Sequence, residues 1–261
     1  MTSTPTRASA IRRTAAELNE LITPPAARSP SRPPVRRYSV SSLLPDGTVT
    51  QTRHLGPALP LFEEAFCAFS RGSLVETDNG SVAIEDLLPG DMIVTADGDT
   101  QPLIWKGHLT VVPGMSLANA RNIQLTRIMT DSFGLGRPSS FLVTGPWARF
   151  LYTPDHLRAV DAQSRSLIPV SSFVDGVNVI ETAPPASVDL YHICLPRHSV
   201  IRVAGLEFET YHPDPVALRM TGHAMRSLFL NMFPHIGQIS DFGPLCYPRE
   251  TPDRGGDALS A

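Results

Sequence analysis

The sequence predicts a mainly β fold. Three observations carry that expectation. Proline (25) and glycine (18) are abundant while charged residues make up only 18% of the chain. Short runs rich in Val, Ile and Thr recur through the middle of the chain. Turn dipeptides separate them, among them Asp97-Gly98, Pro113-Gly114, Gly145-Pro146, Asp175-Gly176 and Ala204-Gly205. Many short strands punctuated in this way build sandwiches, barrels or folded ribbons.

Residues 1–37 are rich in Pro, Arg, Ser, Thr and Ala and read as a disordered tail, with a brief helix over Ile11 to Leu21. Residues 38–66 form a lead-in. It holds a hairpin around Pro45-Asp46-Gly47 and a closing segment from Leu59 to Phe66. Residues 67–213 carry the β pattern, with strands expected at Ser73 to Thr77, Met92 to Thr95, Gln101 to Lys106, Leu109 to Val112, Ile123 to Thr126, Phe141 to Val143, Arg149 to Leu151, Val177 to Ile180, Val188 to Leu195 and Val200 to Val203. Asn79-Gly80 reads as the two-residue turn of a hairpin, since both central positions of such a turn favour positive φ. Met129 to Gly134 reads as one helical turn. Residues 214–250 change pattern: Leu218, Met225, Leu228, Phe229 and Met232 recur near helical period over Ala217 to Phe233, and Pro234 ends the run. Residues 251–261 read as a second tail.

Bulk properties exclude several classes. A net charge of −3 leaves no electrostatic footprint for nucleic acid. No apolar run reaches the roughly 18 residues of a membrane span. Arg7, Arg12 and Arg13 are not followed by the apolar stretch of a secretory signal. Cys67, Cys194 and Cys246 are odd in number and lack C-x-x-C spacing, so neither a disulfide framework nor a zinc site is expected. A cytoplasmic location is the default, with signal-independent export left open. Phosphate-loop, nucleophile-elbow and H-E-x-x-H patterns are absent from the sequence, and no cofactor or metal is called for.

The most specific stretch runs from Phe69 to Asp91: Phe-Ser-Arg-Gly-Ser, the hairpin, then Ile84-Glu85-Asp86-Leu87 and Pro89-Gly90-Asp91. It resembles the opening block of the Hedgehog/intein (Hint) family, in a bacterial, alphaproteobacterial-type form. The late segments Val188 to Ile193, Pro196-Arg197-His198, Val203 to Glu207 and Tyr211-His212-Pro213 resemble that family's closing strands. The resemblance implies a horseshoe-like β fold with pseudo-two-fold symmetry, its first and last strands side by side, plus a C-terminal helix. It also implies an ancestry in backbone self-cleavage.

That chemistry needs an intramolecular nucleophile beside the scissile carbonyl and a histidine to protonate the leaving amide. Aligned on Phe69-Ser70-Arg71-Gly72-Ser73, the nucleophile position is Ala68, and Cys67 lies one residue upstream. A one-residue shift on a strand turns a side chain to the opposite face. Aligned on Arg137-Pro138, Gly145-Pro146 and Arg149, the family's histidine position is Ala148. A rival alignment takes Thr153 and His156 as the Thr-x-x-His motif. His198 matches the late histidine. Pro213 and Asp214 follow His212, so no asparagine stands ready to cyclise and splicing is not expected.

Three readings follow. The first is a Hint domain with lost or weak autoprocessing and a structural or interaction role, its protein partner unknown. The second is an active domain cutting after Phe66 by an N–S acyl shift at Cys67, assisted by Thr153 and His156 or by His198. The third is a plain β-sandwich that binds a partner.

Overall fold

The computed structural model describes residues 34–116, 122–153, 165–214, 218–219 and 221–250. The helix expected at Ile11 to Leu21 lies outside them. In chain order the first strands are Val35–Leu43 (β1), Val49–Pro57 (β2), Phe69–Ser70 (β3), Leu74–Thr77 (β4), Gly80–Ala83 (β5), Met92–Val94 (β6), Thr100–Pro102 (β7) and Trp105–Val111 (β8). Then come Leu125–Ile128 (β9), Leu142–Thr144 (β10), Arg149–Tyr152 (β11), Ser166–Pro169 (β12), Val179–Thr182 (β13), Val188–Cys194 (β14), Val200–Val203 (β15) and Leu206–Glu209 (β16). Helix α1 is Pro60–Glu63 and α2 is His223–Leu230. The protein is mainly β, as the sequence predicts.

One sheet runs β13-β9-β10-β3-β14-β8-β1-β2 and the other β12-β11-β16-β15-β4-β6-β7, with β5 beside β4. Strand β14 organises the first sheet. One edge pairs with β8 over its whole length. The other edge holds the start of the family-like block and the end of it. Ala68 N–H donates to Tyr191 O (3.1 Å), and Tyr211 N–H donates to Ile193 O (2.8 Å). Two segments more than 140 residues apart thus meet two residues apart on one strand.

Two large apolar cores result among the described residues, with a small third cluster of Leu151, Leu167 and Val200. In the first, Tyr38, Leu61, Phe62 and Phe66 of the lead-in pack with Trp105 of β8. Tyr211, Phe229, Met232, Phe233 and Phe242 join them from the C-terminal part. The Trp105 ring stacks on Phe233 (4.6 Å between centroids), and its Nε1–H donates to Met232 O (2.7 Å). Arg36 on β1 reaches the fully buried Glu63 of α1 at 2.6 Å. The second core lies between the sheets and contains Phe69, Ile84, Leu87, Ile93, Ile193, Ile201 and Phe208. Lys106 is almost fully buried, yet its ammonium donates to the carbonyls of Ile84, Glu85 and Leu87 at 3.1, 2.8 and 2.5 Å.

Local expectations are corrected in three places. The β4–β5 register pairs Thr77 with Gly80, so the turn residues are Asp78 and Asn79, and Gly80 supplies the positive φ of +101°. A single left-handed glycine after the turn reconciles its geometry with the strand twist. Met129 to Gly134 is not helical. Asp131 adopts φ 62° there and takes the N–H of Gly136 on its carboxylate. Helix α2 is shorter than the apolar period suggests, starting only after Gly222. The hairpin at Pro45-Asp46-Gly47 and the Ala204-Gly205 turn stand where the sequence puts them.

Candidate functional site

A cleft of about 150 Å³ opens where the two ends of the family-like block meet on β14. Glu64 enters it from the residue after α1. Trp147 comes from the β10–β11 connection, Arg149 from the start of β11 and His192 from β14. Glu209, Tyr211, His212 and Asp214 follow from the end of β16, and Arg249 and Glu250 close it from the C-terminal segment.

Glu209 is the electrostatic centre and is 3% exposed. Arg249 Nε lies 2.9 Å from its Oε2, Arg149 Nε 3.4 Å from its Oε1, and His198 Nε2 3.5 Å from Oε2. Burial alone would raise the pKa of this carboxylate. His198, Arg249 and Arg149 outweigh it and hold the group below its ordinary value, so Glu209 is ionised. His198 Nδ1 accepts the Cys246 N–H (3.1 Å), which assigns the ring proton to Nε2, facing Glu209. Arg249 also donates to His212 O (2.8 Å), strapping the C-terminal segment across the cleft.

His192, His212 and Glu64 are shifted toward their neutral forms. Burial pulls His192 down to about 3, and its Nδ1 accepts the N–H of Ile193 (3.1 Å). Burial also lowers His212, opposed by the Gly243 and Pro213 carbonyls at 3.0 and 2.8 Å from its ring nitrogens. Glu64 is raised to about 8, chiefly by burial, and its Oε1 has no hydrogen-bond partner.

The candidate residues scatter about this cleft. The Cys67 side chain packs in the first core and Ala68, just before β3, in the second. Burial drives the Cys67 thiol well above its ordinary pKa, with Glu63 adding to the effect and Arg36 opposing it. The peptide between Cys67 and Ala68 is tightly held. Its Cys67 O accepts Trp147 N–H (3.3 Å) and its Ala68 N–H donates to Tyr191 O (3.1 Å), while the next carbonyl, Ala68 O, accepts Gly145 N–H (2.8 Å). Gly145 is required at this crossing, because a Cβ there would overlap the Cys67 carbonyl. Thr153 borders a different cavity, with Phe133, Phe150 and Arg165. His156 lies outside the described residues. His198 stands behind the cleft on Glu209.

Ala148 is buried in the second core, and the side chain that reaches the cleft is that of Trp147. Sequence reading passed over Trp147, although the Thr-x-x-His spacing counted from Thr144 lands on it. Trp147 Nε1 is buried without a hydrogen-bond partner. Glu64 and Arg249 were also missed. Each lies outside the recognisable blocks, and no local pattern marks them. Among the described residues, no group of three or more His, Cys, Asp or Glu is arranged to hold a metal.

The Hint-domain family model matches residues 67–215, more than half of the chain, and the protein belongs to that family. No curated protein sequence matches it. Among solved structures it is similar to the bacterial intein-like domain from Clostridium thermocellum, at 14% identity and a TM-score of 0.37. That alignment covers 56% of this chain and 99% of that domain. It is also similar to the MchDnaB-1 intein, at 16% identity and a TM-score of 0.31, covering 55% of this chain and all of that one.

Proposed function

We infer that this Hint domain no longer cuts its own backbone and serves as a structural or interaction module. One observation carries the reading: among the described residues, the ten that line the cleft include no cysteine, serine or threonine. An acyl shift begins with a side-chain nucleophile beside the carbonyl it attacks. Ala68 offers none. The Cys67 thiol is turned into an apolar core, where burial keeps it protonated. His192 and His198 are spent on a backbone N–H and on Glu209 respectively.

The lead-in supports the same reading. In a cleaving module the segment before the scissile bond is a product to be released. Here Tyr38, Leu61, Phe62 and Phe66 share one core with Trp105 and Phe233, and Glu64 lines the cleft. A cut near Cys67 would leave both pieces associated through that core.

Intact mass of the full-length chain under denaturing conditions, after days with and without a strong thiol, tests the reading. The expected result is a constant 28.3 kDa species. A fragment ending at Phe66, absent from Cys67→Ala, would establish a live N–S acyl shift and overturn it. Denaturation is essential, because native separation would hide a nick held shut by the shared core.

A further inference from the structure

The lead-in hairpin presents an open strand. Among the described residues β2 ends its sheet, with β1 on one side and no strand on the other. Its backbone parity follows from its neighbours. Leu43 N–H donates to Ile104 O and Leu44 N–H donates to Thr48 O, both at 2.8 Å, while Ala58 N–H donates to Pro34 O at the far end. Even-numbered residues of β2 therefore spend their backbone groups on β1. The N–H and C=O groups of Val49, Gln51, Arg53 and Leu55 point outward along the free edge. The side chains of the same four residues are exposed, Val49 by 50% and Leu55 by 66%. Natural edges are commonly blunted by proline, a bulge or inward charge. This nine-residue strand has proline only at its last position.

We propose that β2 is a homodimer edge, which pairs antiparallel with β2 of a second copy about a two-fold axis at Thr52. The sequence Val49-Thr-Gln-Thr52-Arg-His-Leu55 is self-complementary in that register. Val49 meets Leu55 at both ends, Gln51 meets Arg53 on either side of the axis, and Thr52 meets Thr52 on the opposite face. The hydrogen-bonded pairs of the new ladder fall on Val49, Gln51, Arg53 and Leu55, whose outward backbone groups meet no strand among the described residues. Neighbouring registers are worse. A two-fold at Arg53 sets two guanidinium groups opposite each other, and one at Gln51 runs Leu55 past the strand end onto Gly47. Apolar pairs, a polar pair beside a cation and an isologous axis make a second copy the occupant that this edge fits. The dimer joins two copies edge to edge without touching the cleft, so each keeps its own site.

Sedimentation velocity of the full-length chain over a concentration series tests this. A reversible monomer–dimer equilibrium is expected. Gln51→Arg sets two like charges opposite each other at both copies of the pair with Arg53, and should weaken dimerisation about tenfold. Adding Arg53→Glu restores opposite charges at both pairs and should recover it, with far-ultraviolet circular dichroism unchanged throughout. Thr52→Cys in a Cys246→Ser background places two thiols at a non-hydrogen-bonded pair, where Cα atoms are about 4.5 Å apart, and mild oxidation should trap a covalent dimer. A full-length chain that stays monomeric at about 100 μM overturns the proposal, since standard interfaces associate well below that. So does a dimer that is indifferent to Gln51→Arg and that oxidation of the Thr52→Cys variant does not trap.

Discussion

Replacing Glu64 by Gln should stabilise the protein at alkaline pH and leave it unchanged in acid. Glu64 is partly buried as a residue, but its Oε1 is sealed from solvent and has no partner. Burial raises its pKa from 4.5 to about 8; Arg249 opposes this, the Asp214 charge adds to it, and a hydrogen bond to the Asp214 backbone and the Arg149 charge pull it back. The sign follows from proton counting. Between pH 4.5 and 8 the unfolded chain releases this proton and the folded chain keeps it, so stability falls as pH rises through that window. The fall is complete above the folded value. At roughly 1.4 kcal/mol per pH unit the ceiling is about 5 kcal/mol. Water entering a 150 Å³ cleft relaxes part of that, and about 2 kcal/mol or more should survive. Glutamine is neutral at every pH and matches the protonated carboxyl in shape. Urea unfolding of both proteins at pH 4.0, 6.5 and 8.5 isolates the effect, because every other titrating group is common to the pair. Glu64→Gln should equal the parent at pH 4.0 and exceed it progressively thereafter. A difference that is flat with pH would refute the reasoning, and a parent more stable than the variant at pH 8.5 would mean Glu64 is ionised and paired.

Further outcomes follow from the packing. Gly145→Ala should cost about 3 kcal/mol in urea unfolding, since the added methyl meets the backbone carbonyl of Cys67 rather than a side chain that can rotate away. Lys106→Met should cost about 3 kcal/mol or more by stranding the Ile84, Glu85 and Leu87 carbonyls; a cost under about 1 kcal/mol would show that water replaces the ammonium. Trp105→Phe removes the bond to Met232 O and should cost about 1–2 kcal/mol beyond lost area, with earlier proteolysis of the C-terminal segment. Native thiol titration should register Cys246 alone and slowly, because its pKa is pushed up to about 11 chiefly by burial, while Cys67 and Cys194 react only in denaturant. Rapid alkylation of native Cys67 would count against its burial.

The β class, most strand positions, the hairpin in the lead-in and the family-like blocks were legible in the sequence, because they depend on local turn chemistry and short-range alternation. Cys67 and Ala68 do pack in different cores, but they precede β3 and Ala68 shares its core with Phe69, so strand alternation is not what separates them. The turn at Asp78-Asn79 was misplaced by one residue, because Gly80 serves equally as a turn centre or as the left-handed residue just after it. Only the tertiary structure decided what lines the cleft. Trp147 rather than Ala148 faces it because the Gly145 crossing over the Cys67 carbonyl sets the rotation of that connection. Glu64, Glu209 and Arg249 are far apart in the chain and meet only when the lead-in and the C-terminal segment close one core over β14. Long-range burial at His192 and Glu64, and long-range ion pairing that overrides burial at Glu209, set the charge states of that cleft, and no single stretch of sequence carries that information.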